Sequence, residues 1–205
     1  MIGAALPEWG RVLHTGDGST WIGEFDGGSS ARVEAVFQLF RKVDLPIEIR
    51  RDIRTAIWCK LNQMIPAATL SCLTRLCMHQ MYLDRTLAGL FVELSREVAR
   101  VAEALHIPLA DFHGLAVKTV CTIPFEDAVE SVMARGRSMC EHGITAAKIS
   151  TLQDLERGKR TEAAETIGYV VHAGKDLGVE LPKLTLLYDV IRGLEAAQQD
   201  ANLPT

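Results

Sequence analysis

The chain has 205 residues, of which 48% are hydrophobic, and its 22 basic and 26 acidic side chains give a formal net charge of −4. This mild acidity excludes the basic surface by which a protein binds nucleic acid or an anionic membrane. No apolar run approaches the roughly 20 residues that span a bilayer, and the first residues lack a signal-peptide pattern, so we expect a globular protein of the cytoplasm.

The first 50 residues predict a small α/β segment. β-favouring residues fill two runs, 11–14 and 20–25, and the Gly-Asp-Gly sequence between them predicts a hairpin turn. After an N-cap segment that ends at Ser30, apolar residues share one face of a predicted helix, namely Val33, Val36, Phe37 and Phe40. Residues 47–49 then predict a short strand. A sheet of so few strands has open edges. We therefore expect this segment either to pair with strands outside residues 1–50 or to pack onto helices.

Everything after Asp52 predicts helix. The expected helical segments cover residues 53–76, 83–106, 111–121, 125–141, 161–177 and 183–199. Pro66 predicts a kink or a break in the first of them. Gly143 and Gly178 stand where C-terminal caps are expected, and Pro182 opens the last helix. The chain is therefore expected to divide near residue 50.

The sequence shows no cofactor site of its own. A dinucleotide fingerprint requires Gly-x-Gly-x-x-Gly between a strand and a helix. Gly16 and Gly18 come nearest, but Trp21 stands where the third glycine is needed and the segment leads into a strand. The five cysteines form no Cys-x-x-Cys pair and the six histidines show no metal-ligand spacing, so neither a disulfide nor a metal site is predicted.

Lys60 is the first candidate for chemistry, in the sequence Trp58-Cys59-Lys60-Leu61 of a predicted helix. In a partly buried cleft a lysine ammonium can donate a proton to a developing alkoxide, because desolvation lowers its pKa toward the working pH. The other interpretation is an exposed helical lysine without a role. Spacing alone leaves both open.

The second candidate is the stretch from Ser150 to Glu162, which reads Ser-Thr-Leu-Gln-Asp-Leu-Glu-Arg-Gly-Lys-Arg-Thr-Glu. On elementary grounds Thr161 caps a helix and Glu162 is a favourable carboxylate in its first turn. A role for Glu162 in a reaction is the alternative to this purely structural interpretation.

These two motifs together resemble the ketopantoate reductase (2-dehydropantoate 2-reductase) family, strongly over residues 52–76 and 143–195. The resemblance implies a mainly α fold. Residues 51–205 would be an all-α helical domain for substrate binding and dimerisation, similar to the C-terminal domain of 6-phosphogluconate dehydrogenase. Residues 1–50 would be a short α/β remnant, the end of a nucleotide-binding Rossmann domain.

The resemblance also implies roles for individual residues. Lys60 would be the catalytic lysine, and Glu162 would orient the substrate and that lysine. Ser150 would bind the substrate carboxylate. The family places asparagines where this chain has Met64 and Ala68, and Gln63 could partly substitute for them in binding substrate, whereas Asn62 should point elsewhere.

Two hypotheses follow. In the first, the chain is the substrate-binding half of an NADP(H)-dependent reductase of pantothenate biosynthesis that converts a small 2-oxo acid to a 2-hydroxy acid. Its nucleotide-binding domain is missing from this sequence, so it would need a Rossmann domain from elsewhere, or a homodimer. In the second, it is a non-catalytic helical module for ligand binding or oligomerisation. Met64, Ala68 and the absent Gly-rich turn favour the second hypothesis. The retained Lys60, Ser150 and Glu162 favour the first.

Overall fold

The computed structural model describes residues 3–16, 18–112 and 114–201. Its contacts divide the chain into two units, Met1–Ile57 and Trp58–Thr205. The fold is mainly helical and begins with short strands, which confirms the expected fold class. Among the described helices, none combines the length and apolarity needed to cross a membrane.

The first unit contains two separate pairs of strands. Strands β1 (Gly3–Glu8) and β2 (Arg11–Gly16) are antiparallel, and β3 (Thr20–Ile22) runs parallel to β4 (Ile47–Ile49) with helix α1 (Ala31–Lys42) between them. The predicted hairpin between runs 11–14 and 20–25 is therefore wrong.

The reason lies in the turn before β2. Glu8 pairs with Arg11, so Trp9 and Gly10 form a two-residue loop, and Gly10 adopts the positive φ of 83° that such loops require. Strand β2 thus pairs with the chain before it rather than after it. Asp17, in the middle of the turn that we predicted, lies outside the described residues.

Helix α1 begins where the sequence predicts. The Ser30 hydroxyl accepts a hydrogen bond from the Val33 amide at 3.2 Å, which is a regular N-cap. The helix is amphipathic, yet none of its residues is buried, and Leu39 is 61% exposed.

From Ile53 onward the chain is built mainly from helices. They are α2 (Ile53–Thr74), α3 (Met78–Leu83), α4 (Arg85–Ala104), α5 (Val117–Thr122), α6 (Phe125–Glu141), α7 (Ser150–Glu156), α8 (Tyr169–Asp176) and α9 (Pro182–Ala201), with a π-helical turn at Ala164–Gly168 directly before α8. Helix α2 continues through Pro66, so the proline does not end it. Gly143 and Gly178 follow helices with φ of 69° and 68°, as expected of C-terminal caps.

The predicted helix over residues 111–121 is wrong in its first half. Strands β5 (Asp111–Phe112) and β6 (Leu115–Ala116) form a small hairpin there, and α5 begins only at Val117. The Asp111 carboxylate accepts hydrogen bonds from the amide and hydroxyl of Thr119, at 3.1 and 2.6 Å. Asp111 therefore bonds to the helix from outside instead of joining it, as short polar side chains commonly do.

The core of the helical unit follows the three-and-four spacing of α4. Phe91, Leu94, Val98 and Val101 are all buried on one face of this helix. On the same helix the Glu97 carboxylate is also buried, and it accepts the backbone amides of Lys183 and Leu184 at 3.1 and 2.8 Å. These bonds satisfy two of the free N–H groups at the start of α9 and fix that helix against α4.

Candidate functional site

Lys60 lies on α2 in a half-buried position, so it is not the freely exposed lysine that the sequence left open. Burial lowers the pKa of its ammonium group, and the positive charge of Arg135 lowers it further. Two residues earlier, the buried Trp58 ring stands 6.3 Å from the ring of Tyr169 on α8. This contact packs the lysine-bearing part of α2 against α8.

Arg135 is a residue of this region that the sequence did not single out. It lies on α6, 75 positions after Lys60 in the chain, and no motif connects the two residues. Its Nη1 donates to the carbonyl oxygen of Gly114 at 2.7 Å, and its guanidinium lies 6.0 Å from the centre of the Tyr82 ring. Only the packing of α6 beside α2 could reveal it.

Gln63 lies beside Arg135. With its amide oxygen turned toward the guanidinium, Gln63 accepts a hydrogen bond from Arg135 Nη2 at 2.7 Å. The neighbouring Asn62 is buried and faces α4, where its Nδ2 donates to the carbonyl oxygen of Ser95 at 2.8 Å. Asn62 thus points elsewhere, as expected, while the role of Gln63 in substrate binding stays a prediction.

The two positions at which the resemblance implies asparagines carry no polar side chain here. Ala68 is 3% exposed and belongs to the hydrophobic core, and Met64 is half-buried. The lysine-bearing helix therefore offers no amide one and two turns after Lys60 to hold a polar substrate.

Ser150 is the first residue of α7 and is exposed. Leu152 and Leu155 bury one face of this short helix in the core, which leaves the serine at its outer end. A hydroxyl in this position is accessible to a ligand.

Glu162 is exposed and is held in place by its neighbour Thr161. The Thr161 hydroxyl accepts the amide of Ala163 at 3.0 Å and donates to Glu195, while the Thr161 amide donates to Glu195 at 3.0 Å. The predicted cap is therefore present, and it fixes the backbone that presents Glu162.

The helix that follows Glu162 is irregular at its start, and Gly168 at the end of the irregular turn lies close to Tyr188. A π-helical turn spans Ala164–Gly168, a form often found near functional sites. A Cβ atom on Gly168 would lie 2.4 Å from Tyr188 Oη and 2.8 Å from its Cζ. This confirms the close packing that a glycine inside a helix suggests.

The structure does not connect the candidate residues to one another directly. Among the described residues, no hydrogen bond or ion pair joins Lys60, Ser150 and Glu162, and the charge that perturbs Lys60 is that of Arg135. Within the same described ranges, no group of three His, Cys, Asp or Glu side chains could hold a metal ion.

Comparisons with known proteins point to one family. The family described as "Ketopantoate reductase PanE/ApbA C terminal" matches residues 52–195. The 2-dehydropantoate 2-reductases of Archaeoglobus fulgidus and Halobacterium salinarum are 31% and 30% identical to this chain and cover 95% and 97% of it. The chain spans 58% of the length of each of these two relatives.

Solved structures agree with the sequence comparison. The crystal structure of 2-dehydropantoate 2-reductase from Methylococcus capsulatus covers 97% of the chain with a TM-score of 0.73 and 26% identity, over 57% of its own length. The ternary structure of D-mandelate dehydrogenase with NADH and anilino(oxo)acetate shares the fold, with a TM-score of 0.74 at 21% identity, over 97% of this chain and 59% of that one.

Proposed function

The chain belongs to the ketopantoate reductase family, and on that premise we propose that it is the substrate-binding half of an NADPH-dependent 2-dehydropantoate 2-reductase. The observation that carries this proposal is Lys60, which stands in the Trp-x-Lys-Leu motif, is half-buried, and has a lowered pKa. A lysine in that state gives up its proton more readily at neutral pH than an exposed lysine does.

The acid–base half of the reduction can be assigned to this chain. Lys60 donates its proton to the oxygen of the 2-oxo group as that oxygen becomes an alkoxide. The exposed Ser150 hydroxyl donates to the substrate carboxylate, and Glu162, presented by the Thr161 cap, orients the substrate and Lys60 in the reacting complex, as the family resemblance implies. Gln63 supplies an amide in place of those lost at Met64 and Ala68.

The described residues do not fit the phosphates of NADP(H). In a nucleotide-binding fold, a pyrophosphate binds at the turn where a parallel strand leads into a helix. Within the described residues, the turn between β3 and α1 is such a place. That turn carries Glu24, whose carboxylate accepts a hydrogen bond from Arg32 Nε at 2.7 Å and another from Ser30. These bonds lower the pKa of Glu24 to about 2 and engage Arg32, the cation at this turn, so that Arg32 is already paired and is not free to bind a phosphate.

The proposal therefore includes a nucleotide-binding unit as a partner. Parallel sheets are normally covered by helices on both faces, yet α1 buries none of its residues and Ile49 on β4 is 41% exposed. A Rossmann domain that continues this sheet, or a second copy of the chain, would cover these surfaces. The setting that the proposal implies is pantothenate biosynthesis in the cytoplasm.

Calorimetric titration of the purified chain with 2-dehydropantoate tests this proposal. We expect saturable binding that weakens about tenfold or more in Lys60→Met and in Ser150→Ala, because a hydrogen bond to a charged group contributes about 1.5–3 kcal/mol. Lys118→Met, at an exposed position on α5, is the control and should bind as the wild type does. A parallel titration with NADPH should show no saturable binding to the chain alone.

A second candidate function rests on the core position of Ala68. A substrate face that has lost two amides is compatible with a helical module that no longer catalyses a reaction. This candidate would be favoured if the chain does not bind 2-dehydropantoate, or if neither Lys60→Met nor Ser150→Ala changes the affinity for it. Saturable NADPH binding would instead contradict the need for a separate nucleotide-binding unit.

A further inference from the structure

A small pocket lies inside the helical unit, apart from Ser150 and Glu162. Its walls come from helices α2 to α6 and it encloses about 100 Å³. Of the residues assigned to the proposed reaction, Gln63 lines this pocket, whereas Lys60, Ser150 and Glu162 do not.

Two buried hydroxyl groups line this pocket. Tyr82 and Ser95 are each 1% exposed, and both line the pocket. Among the residues that the structure describes, neither Tyr82 Oη nor Ser95 Oγ has a hydrogen-bond partner. Buried hydroxyls are almost always satisfied in folded proteins, so a bound polar group is expected here.

The pocket is also positively charged. Arg135 lines it, and within the described ranges this guanidinium forms no ion pair with a carboxylate. The guanidinium has five N–H donors. Both hydrogens on Nη1 and one on Nη2 bond to Gly114 and Gln63. The N–H of Nε and the second hydrogen of Nη2 remain. That pair is the one that binds a carboxylate in a bidentate fashion.

Two cations near each other support the same conclusion. The charge of Arg135 lowers the pKa of Lys60, so the two groups repel each other, and among the described residues neither forms an ion pair with a carboxylate. An anion at Arg135 would relieve this repulsion and pair the half-buried guanidinium.

The remaining wall is apolar and limits the size of the ligand. Phe91, Val120 and Val132 face the same space. A dry cavity of about 150 Å³ in another protein accommodates benzene, with its six carbon atoms, so about 100 Å³ accommodates roughly four or five non-hydrogen atoms.

We propose that this pocket binds a short monocarboxylate of the size of acetate or propionate. Its carboxylate would lie against Arg135 and accept hydrogen bonds from Tyr82 and Ser95, and its alkyl end would contact Phe91. The site lies beyond the proposed function, because it involves neither Ser150 nor Glu162.

Propionate is the probe for the test, in an NMR titration of the purified full chain at pH 7 followed by a crystal structure grown in its presence. We expect saturable binding that weakens at least tenfold in Arg135→Gln and several-fold in Tyr82→Phe. Tyr82→Phe removes only a hydroxyl without a protein partner, so it keeps the fold even if Arg135→Gln does not. Propionamide, which is uncharged and of the same size, should not compete.

Thr69→Val is the matched control. Thr69 Oγ1 is likewise buried without a hydrogen-bond partner among the described residues, but Thr69 does not line the pocket. This variant should bind propionate as the wild type does, and so should Ser150→Ala. The proposal is overturned if water alone fills the pocket, if propionate binds elsewhere, or if Tyr82→Phe leaves its affinity unchanged. None of these results would bear on the binding of 2-dehydropantoate, which Ser150→Ala tests separately.

Discussion

Gly168 offers the sharpest test of the packing around the candidate site. It ends the π-helical turn that follows Glu162, and its substitution by alanine would place a Cβ atom 2.4 Å from Tyr188 Oη and 2.8 Å from Tyr188 Cζ. Both distances are below 3.0 Å, so the Tyr188 ring must move. That ring is 5% exposed and packs edge-on against His172 at 6.5 Å, so it has little room to do so.

The expected magnitude combines two opposing effects. Alanine gains about 1 kcal/mol over glycine inside a helix. Overpacking a well-packed core costs about 1–3 kcal/mol, and this site belongs at the upper end because two ring atoms are involved. We therefore expect Gly168→Ala to lower the free energy of unfolding by about 1–2 kcal/mol, which lowers Tm by about 2–4 °C per kcal/mol in a chain of this size.

Urea unfolding followed by circular dichroism measures this effect, and Gly193→Ala is the matched control. Gly193 is an exposed glycine of α9 whose added Cβ would meet nothing within 4 Å, so the same substitution there should stabilise the protein. Tyr188→Phe removes the atom at 2.4 Å and should relieve part of the loss in a double-mutant cycle. A Gly168→Ala protein as stable as Gly193→Ala, or no coupling to Tyr188, would refute the reasoning.

Three further predictions concern charge and burial. Burial, and then the charge of Arg135, lower the pKa of Lys60 below 10.5 in the folded protein, so folding favours the neutral form of this lysine. The free energy of unfolding of the wild type should therefore increase relative to that of Lys60→Met as the pH rises to about 10.5. Urea titrations at pH 7, 9 and 10.5 check this. Glu97→Ala should lower the free energy of unfolding by about 1–3 kcal/mol, since two backbone amides of α9 lose their acceptor. An unchanged midpoint of urea unfolding would contradict this. Burial raises the pKa of the Cys72 thiol to about 12, whereas Cys140 is exposed. After iodoacetamide treatment at pH 8, mass spectrometry should find Cys140 modified first and Cys72 modified only after unfolding.

Helix positions were largely predictable from local patterns. The apolar spacing on α4 and the glycines that follow α6 and α8 are signals within single segments, and a helix needs only such local information. The strand pairing was not predictable in the same way. The sequence predicted a strand at residues 11–14 but none before it, so the partner of β2 was misassigned; the two-residue loop at Gly10 pairs β2 with the preceding β1.

The residues of the candidate site and the pocket also differ in whether the sequence alone could point to them. The sequence singled out Lys60, Ser150 and Glu162 as candidates, because each lies in a motif of consecutive residues that can be read directly from the chain. Arg135, Tyr82 and Ser95 lie on three different helices and carry no shared motif.

The sequence alone therefore determined the family and the helical class and singled out Lys60 as the candidate lysine, since these depend on residue order and on periodicity along the chain. Only the tertiary structure decided the half-buried state of Lys60, the charge of Arg135 beside it, and the contact of Gly168 with Tyr188. Burial, pKa and close approach all depend on which atoms surround a group, and helices distant in sequence supply those atoms.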